Sequence, residues 1–239
     1  MAPPEAAPGV VIIPALDEEA TIGQVVAAVP REEVRAVVVA DNGSRDCTAA
    51  EASAAGAVVV SEPRRGYGRA CLRALSWCAD LEPPPRAVVF LDGDGSDDPR
   101  EIGRLLRPIL EDRGDLVIGS RARGGRERGA LLPQARLGNQ IAGAWIRAVT
   151  GVRFTDLGPF RAVSWEALGR LGMAEPDYGW TVEMQLKAAR AELRCLEIPV
   201  SRLRRRGGSS KVTGTVRGTL GAGVRILWCL ARYSLWRPS

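Results

Sequence analysis

Between Phe90 and Pro99 the chain reads FLDGDGSDDP, which sets four aspartates within the seven positions from Asp92 to Asp98, directly behind the apolar run AVVFL. Carboxylates this close repel one another, so the cluster calls for positive charge to hold it. Three arrangements answer that call. In an EF-hand loop Asp92, Asp94 and Ser96 would take positions one, three and five, but position six is Asp97 instead of Gly and position twelve is Gly103 where a bidentate Glu is required, so this reading fails. As a helix cap, Asp97 or Asp98 would close a helix start, which leaves Asp92 and Asp94, each flanked by glycine, unexplained. As an Asp-x-Asp metal site at the carboxyl end of a parallel strand, Asp92 and Asp94 would hold Mg²⁺ or Mn²⁺. Such ions take one or two carboxylates plus substrate phosphates, and Gly93 would let a phosphate approach the backbone.

The elements that must carry these residues are legible as alternating patterns. The apolar runs GVVIIPA, RAVVVAD, AVVVSE, RAVVFLD and DLVIGS alternate with helical periodicity over Thr21–Val29, Thr48–Ala55, Arg69–Asp80 and the stretch that begins with Asp98 as cap and Pro99 at the first helical position. Ser44 or Asp46 caps the second of these helices. Apolar strands interleaved with amphipathic helices imply an α/β fold, a mostly parallel sheet with helices on both faces. Asp17 and Glu18 follow the first strand, Asp41 the second, and Asp92 and Asp94 the fourth, so all of them lie along one sheet edge around one crevice. Base, ribose and metal-bound diphosphate together in that crevice fit a nucleotide donor. Beyond Ser120 a Gly- and Arg-rich loop precedes a helix over Arg136–Val149, a short strand near Val152–Asp156, helices over Ser164–Leu171 and Thr181–Ala191, a strand in LRCLEIPV, and a tail helix from Thr213.

Composition narrows the chemistry. Hydrophobic residues make up 46% and charged residues 26% of the 239, as in ordinary globular proteins. The absence of histidine removes Ser-His-Asp and Cys-His catalysis and histidine metal ligands. The five cysteines are scattered without a CxxC pair and read as reduced core thiols of a cytoplasmic protein. A net charge of +5 suits a phosphate-bearing ligand or an anionic membrane surface; a nucleic-acid partner would call for a denser basic cluster, and none is expected. Among 33 basic residues only Lys187 and Lys211 are lysine, which singles out Lys211 in its Arg-rich surroundings. The chain has no signal peptide pattern and no uninterrupted apolar stretch of spanning length.

Quoted in order, VIIPALDEEATIGQVV, VVVADNGSRDCT, RRGYGRACLRAL, FLDGDGSDDP and DLVIGSR have the order and spacing of family 2 glycosyltransferases with the GT-A fold, a Rossmann-like α/β architecture. GVRFTDLGPFRAV, DYGWTVEMQLKA and RRRGGSSKVTGTVRGT resemble the branch of dolichol- and polyprenyl-phosphate sugar synthases. The resemblance assigns Pro14, Asp17, Glu18 and Asp41 to the nucleoside, Arg65, Gly66 and Gly93 to the donor, and Asp92 and Asp94 to the metal and the donor diphosphate. It implies that Asp156 and Glu183 act as acceptor-side catalytic carboxylates and that Arg204, Arg206, Ser210 and Lys211 cover the donor phosphates. Apart from the resemblance, Arg121 and Arg136 are candidates to grip an acceptor phosphate, with ordinary solvated surface as the rival reading. This chain departs from the pattern at Ser96, where Gln is usual, at Pro159 in place of the Gly of SGFR, and at Asp17, where Asn is common.

The organisation expected is a disordered lead over residues 1–8, a GT-A domain over 9–212 with a nucleotide-sugar half (9–120) and an acceptor half (121–212), and an amphipathic helix over 213–239. In that tail Trp228, Trp236 and several leucines interleave with arginines, a composition suited to a membrane interface. The function expected is metal-dependent, inverting transfer from a UDP- or GDP-sugar to a polyprenyl phosphate at the inner face of the cytoplasmic membrane. Transfer to a small hydroxyl acceptor is the first alternative; nucleotidyl transfer and non-catalytic binding of a nucleotide sugar follow it.

Overall fold

The structure, a computed structural model, describes residues 8–124, 133–203 and 216–238, and within these the side chains of residues 133–137, 216–220 and 222 are outside the description. Among the described residues seven strands form one sheet: β1 (Gly9–Ala15), β2 (Val34–Asp41), β3 (Val58–Ser61), β4 (Ala87–Phe90), β5 (Leu116–Ser120), β6 (Arg161–Ser164) and β7 (Cys195–Pro199). Their order is β3-β2-β1-β4-β6-β5-β7. All pairings are parallel except those of β6, which runs antiparallel to both β4 and β5. Eight helices accompany them: α1 (Ile22–Ala27), α2 (Thr48–Ala54), α3 (Tyr67–Ala79), α4 (Ile102–Leu110), α5 (Pro133–Thr150), α6 (Trp165–Leu171), α7 (Trp180–Arg190) and α8 (Val216–Tyr233).

Side chains alternate across the strands, so the sheet builds two cores. Val10, Ile12, Val38, Val88 and Phe90 pack toward α3, α7 and α8. Val11, Ile13, Val37, Val39 and Val89 pack toward α1 and α4. A fully buried Val, Ile or Phe is worth about 1.5–3 kcal/mol over an exposed one. A one-residue slip would turn each set to the other face, which fixes the register.

Local chemistry sets the helix starts. The Asp98 carboxylate accepts from the Arg100 amide at 3.1 Å, and Pro99 opens a 3₁₀ turn that runs on into α4. At α2 neither expected cap takes the position: the N-cap is Cys47, without a side-chain capping bond. Asp46 just before it accepts from the Thr48 amide at 3.0 Å, and the Ser44 hydroxyl is taken by the Asp17 amide at 3.0 Å.

The strand expected near Val152–Asp156 does not form. The Thr155 and Asp156 amides donate instead to the Glu197 carboxylate, at 2.7 and 3.3 Å, which replaces the ladder bonds a strand would need. The strand lies a few residues on, as β6, and includes the buried Arg161. That guanidinium is satisfied by the Gly158 and Thr181 carbonyls and the Gln185 side chain. Burial pushes its pKa down to about 10. No helix among the described residues is long and apolar enough to cross a membrane.

Candidate active site

The parallel register sets Ala15 beside Asp41 and Ile12 beside Phe90, so the segments that follow β1, β2 and β4 emerge together at the carboxyl edge of the sheet. There they border a crevice of 510 Å³. Pro14, Glu18 and Asn42 line it from the ends of β1 and β2 and just beyond, Asp92, Gly93 and Asp94 from the segment after β4, and Arg65, Gly66 and Tyr67 from the start of α3. Arg121, Pro159, Asp177, Tyr178, Thr181 and Ile226 also line it.

Asp94 is buried and accepts from the amide of Ser96 at 2.9 Å and from its hydroxyl. Arg202 in turn donates to the Ser96 hydroxyl and to Asp97 at 3.1 Å. Burial, with Asp94 and Asp97 alongside, pushes the Asp92 carboxyl up to about 8. Two hard carboxylates in the lining of one crevice, with Asp92 disfavoured as an anion by burial and by its acidic neighbours, fit a divalent cation, which would favour the ionised form. Among the described residues no three acidic or sulfur ligands converge on one point, so such an ion would take its remaining ligands from donor phosphates and water. Ser96, already used by Asp94 and Arg202, stands where the resembling family carries Gln.

On the nucleoside side Pro14 and Glu18 line the crevice, but Asp17 and Asp41 do not. Asp17 sits at φ +50 and accepts from the Arg45 amide at 2.8 Å, while Asp41 accepts from the Ser44 amide at 3.3 Å. Asp17 ties the segment after β1 to the segment after β2, whereas Asp41 closes a local turn at the end of β2. Beside Glu18 a second polar group lines the crevice here, Asn42, which no motif singled out. Its amide donates to the Glu62 and Arg64 carbonyls, at 2.9 and 2.8 Å, and its oxygen accepts from the Gly66 amide at 2.8 Å. Those three bonds hold the loop that delivers Arg65 and Gly66.

The glycines of RRGYGRA have a packing reason. A Cβ on Gly68 would stand 1.9 Å from the Glu175 carbonyl oxygen, and one on Gly66 2.3 Å from that of Pro176. The start of α3 therefore lies flush against residues 175–177, which brings Asp177 and Tyr178 into the crevice.

On the acceptor side both expected carboxylates are buried in ion pairs. Asp156 is buried and accepts three bonds from Arg121, from its amide at 2.9 Å and its guanidinium at 2.7 and 2.6 Å, with a fourth from Asn139 at 2.9 Å. Burial alone would raise its pKa, but the Arg121 guanidinium and amide hold it below the usual carboxylate range. An acid so engaged is a poor proton acceptor, and its effect is to aim Arg121 into the crevice. Glu183 is fully buried and away from the crevice wall, satisfied by the Ala174 and Glu175 amides at 2.9 and 2.8 Å and by Lys187 at 2.7 Å. From its place at the head of α7 it braces the 174–175 turn.

The crevice carboxylate on this side is Asp177, half-buried, its pKa raised by burial and by nearby Glu175. Its signal was the acid at the head of DYGWTVEM, in a segment already singled out. Arg136 lies on α5 with its side chain outside the described residues, and Arg204, Arg206, Ser210 and Lys211 lie outside the described residues altogether.

Residues 10–165 match the family model for glycosyl transferase family 2. An uncharacterised glycosyltransferase of Mycobacterium tuberculosis is 37% identical over 212 residues, 88% of this chain and 92% of that protein. Polyprenol monophosphomannose synthase of Mycolicibacterium smegmatis is 30% identical, with 86% of this chain and 81% of that protein covered. Among solved structures, glucosyl-3-phosphoglycerate synthase from Mycobacterium tuberculosis, in complex with Mn²⁺, uridine diphosphate and glucosyl-3-phosphoglycerate, aligns with a TM-score of 0.75 at 25% identity over 97% of this chain and 81% of that one.

Proposed function

The chain belongs to glycosyl transferase family 2, has the GT-A fold and is a glycosyltransferase, and we propose that it moves a sugar from a UDP- or GDP-sugar to the phosphate of a polyprenyl phosphate, with inversion. The observation that carries this reading is one crevice lined together by Asp92, Asp94, Arg65 and Arg121. Asp92 and Asp94 would hold Mg²⁺ or Mn²⁺, which when bound offsets the charge of a departing diphosphate. Arg65 and the Gly66 backbone lie where that diphosphate would be gripped, and Pro14, Glu18 and Asn42 border the nucleoside end. Arg121, kept charged and oriented by Asp156, receives the acceptor phosphate, and such a bidentate-capable group suits it. A polyprenyl phosphate arrives ionised and needs no base, in keeping with Asp156 and Glu183 both being committed to ion pairs. The likeness to polyprenol monophosphomannose synthase supports the same acceptor class.

A small hydroxyl acceptor is the second reading, and Asp177 favours it. A half-buried carboxylate with a raised pKa in the crevice wall is a fit general base for an alcohol. The Asp177→Asn variant separates the two. With a polyprenyl phosphate its kcat stays within a few-fold of the parent; with a hydroxyl acceptor it falls by about 10²–10⁴.

Thermal melting with UDP, GDP, CDP, TDP and ADP, each with Mn²⁺ or with EDTA, tests the donor site. A nucleotide at a hundred times Kd adds about 2.7 kcal/mol, a rise of roughly 5–10 °C in a chain of this size. A Mn²⁺-dependent rise with one nucleotide, lost in Asp92→Asn/Asp94→Asn, is the expected result. No rise with any of the five would sink the donor assignment.

A further inference from the structure

Exposed apolar bulk is concentrated on one face of this protein. Among the described residues eight large hydrophobic side chains are exposed, and seven of them lie on α5, on α8 and just past its end: Ile141, Trp145 and Val149, then Val224, Leu227, Trp228 and Leu235. On α5 they recur every four residues, and on α8 Val224, Leu227 and Trp228 are spaced by three and four, so each set forms a single stripe. The opposite faces are the ones that pack, through Ala142 and Ile146 on α5 and through Cys229, Leu230 and Tyr233 on α8. The two helices touch, and the Trp145 indole N–H donates to the Ser234 hydroxyl at 3.0 Å, so the stripes join into one surface. Val224 is 68% and Leu227 52% exposed, well beyond the rim of a core. A contiguous apolar patch of this kind marks an interaction site.

Charge says what kind. The sequences of α5 and α8 contain no Asp or Glu. Arg147, Arg232 and Arg237 are exposed around the patch, and the Arg225 and Arg232 guanidiniums lie over the Trp228 ring at 4.6 and 4.9 Å from its centre. We propose that the α5/α8 surface docks on an anionic lipid bilayer, with the apolar stripes entering the headgroup boundary and the arginines meeting lipid phosphates. A second copy of the chain is the poorer occupant, since it would set the same arginines against one another. The surface deepens the lipid-acceptor reading and rests on it for its purpose. Ile226, between Arg225 and Leu227 on α8, lines the crevice, so a phosphate carried by a membrane lipid would reach Arg121 along this helix. Arg225 also pairs with buried Glu175 at 2.6 and 3.1 Å, which fastens α8 to the turn that carries Asp177.

Co-sedimentation of the full chain with vesicles of phosphatidylcholine alone, or with one third phosphatidylglycerol, tests the surface. Binding to the anionic vesicles at least tenfold tighter than to the neutral ones is expected. Val224→Asp/Leu227→Asp should lose at least tenfold of it, and Arg232→Glu a smaller share, with melting temperature and nucleotide-induced melting shift unchanged. Equal affinity for both vesicles, no binding to either, or full binding by Val224→Asp/Leu227→Asp would overturn the proposal. So would a concentration-dependent dimer, seen by light scattering, that the same double substitution abolishes. Transfer to a short, water-soluble polyprenyl phosphate reads the acceptor separately. Vesicle binding without such transfer keeps the surface and discards the lipid acceptor; transfer without vesicle binding does the reverse.

Discussion

Arg121 and Asp156 are nearly closed to solvent, yet the guanidinium also borders the crevice. Asp156→Asn leaves a buried cation half-compensated, which costs about 3–5 kcal/mol when one partner of a buried pair is removed; urea unfolding should read a loss of that size. Because the folded pKa of Asp156 is depressed, its share of stability is complete above the unfolded value of about 3.9 and is lost as the pH falls through the lower folded value. The parent should therefore destabilise steeply with acid below about pH 4, and Asp156→Asn less so. Sequence singled out the segment that carries Asp156 but gave no sign of its pairing with Arg121. Spacing identifies an acid near a site, but whether it faces substrate or an arginine 35 positions away depends on the tertiary contact. Glu183 is likewise held from off its helix, by the Ala174 and Glu175 amides, in addition to Lys187 one helical turn on.

At the scale of elements the contact between α3 and residues 175–177 shapes the crevice, and Gly68 makes it possible. Gly68→Ala forces that turn outward and should cost about 1–3 kcal/mol, as overpacking does. Because the same turn carries Asp177 and Tyr178, nucleotide-induced melting shifts should shrink more in this variant than in an alanine variant at Gly169, whose added Cβ meets nothing. The strands with continuous Val and Ile were legible because nothing polar interrupts them. β6 was not: Arg161 breaks the apolar run, and only carbonyls and a glutamine contributed from elsewhere make a buried arginine tolerable there. The false strand before it arose because Thr155 and Asp156 owe their amide partners to Glu197, about forty residues on.

Over the whole molecule the cysteines report on the cores. All five are free; Cys71, Cys78 and Cys229 are buried, and Cys47 is exposed, so the expectation of uniform core thiols fails at Cys47 and at half-buried Cys195. Burial pushes Cys78 and Cys229 up to about 12. In native protein at pH 8 iodoacetamide should modify Cys47 first, with Cys71, Cys78 and Cys229 reacting only across the global unfolding transition, as mass spectrometry of urea-titrated samples would show. The antiparallel β6 has a further consequence, for synthesis. Strand order follows chain order only in part, because β5 is made well before β6, the strand that must sit between it and β4. A nascent chain that has just released β5 therefore carries an open edge on β4 and a β5 with no neighbour, both strands that are fully buried once folded, until some forty more residues emerge. That interval is when the growing polypeptide most needs a chaperone, and a chain terminated before Arg161 should scatter light as aggregate where the full-length chain does not.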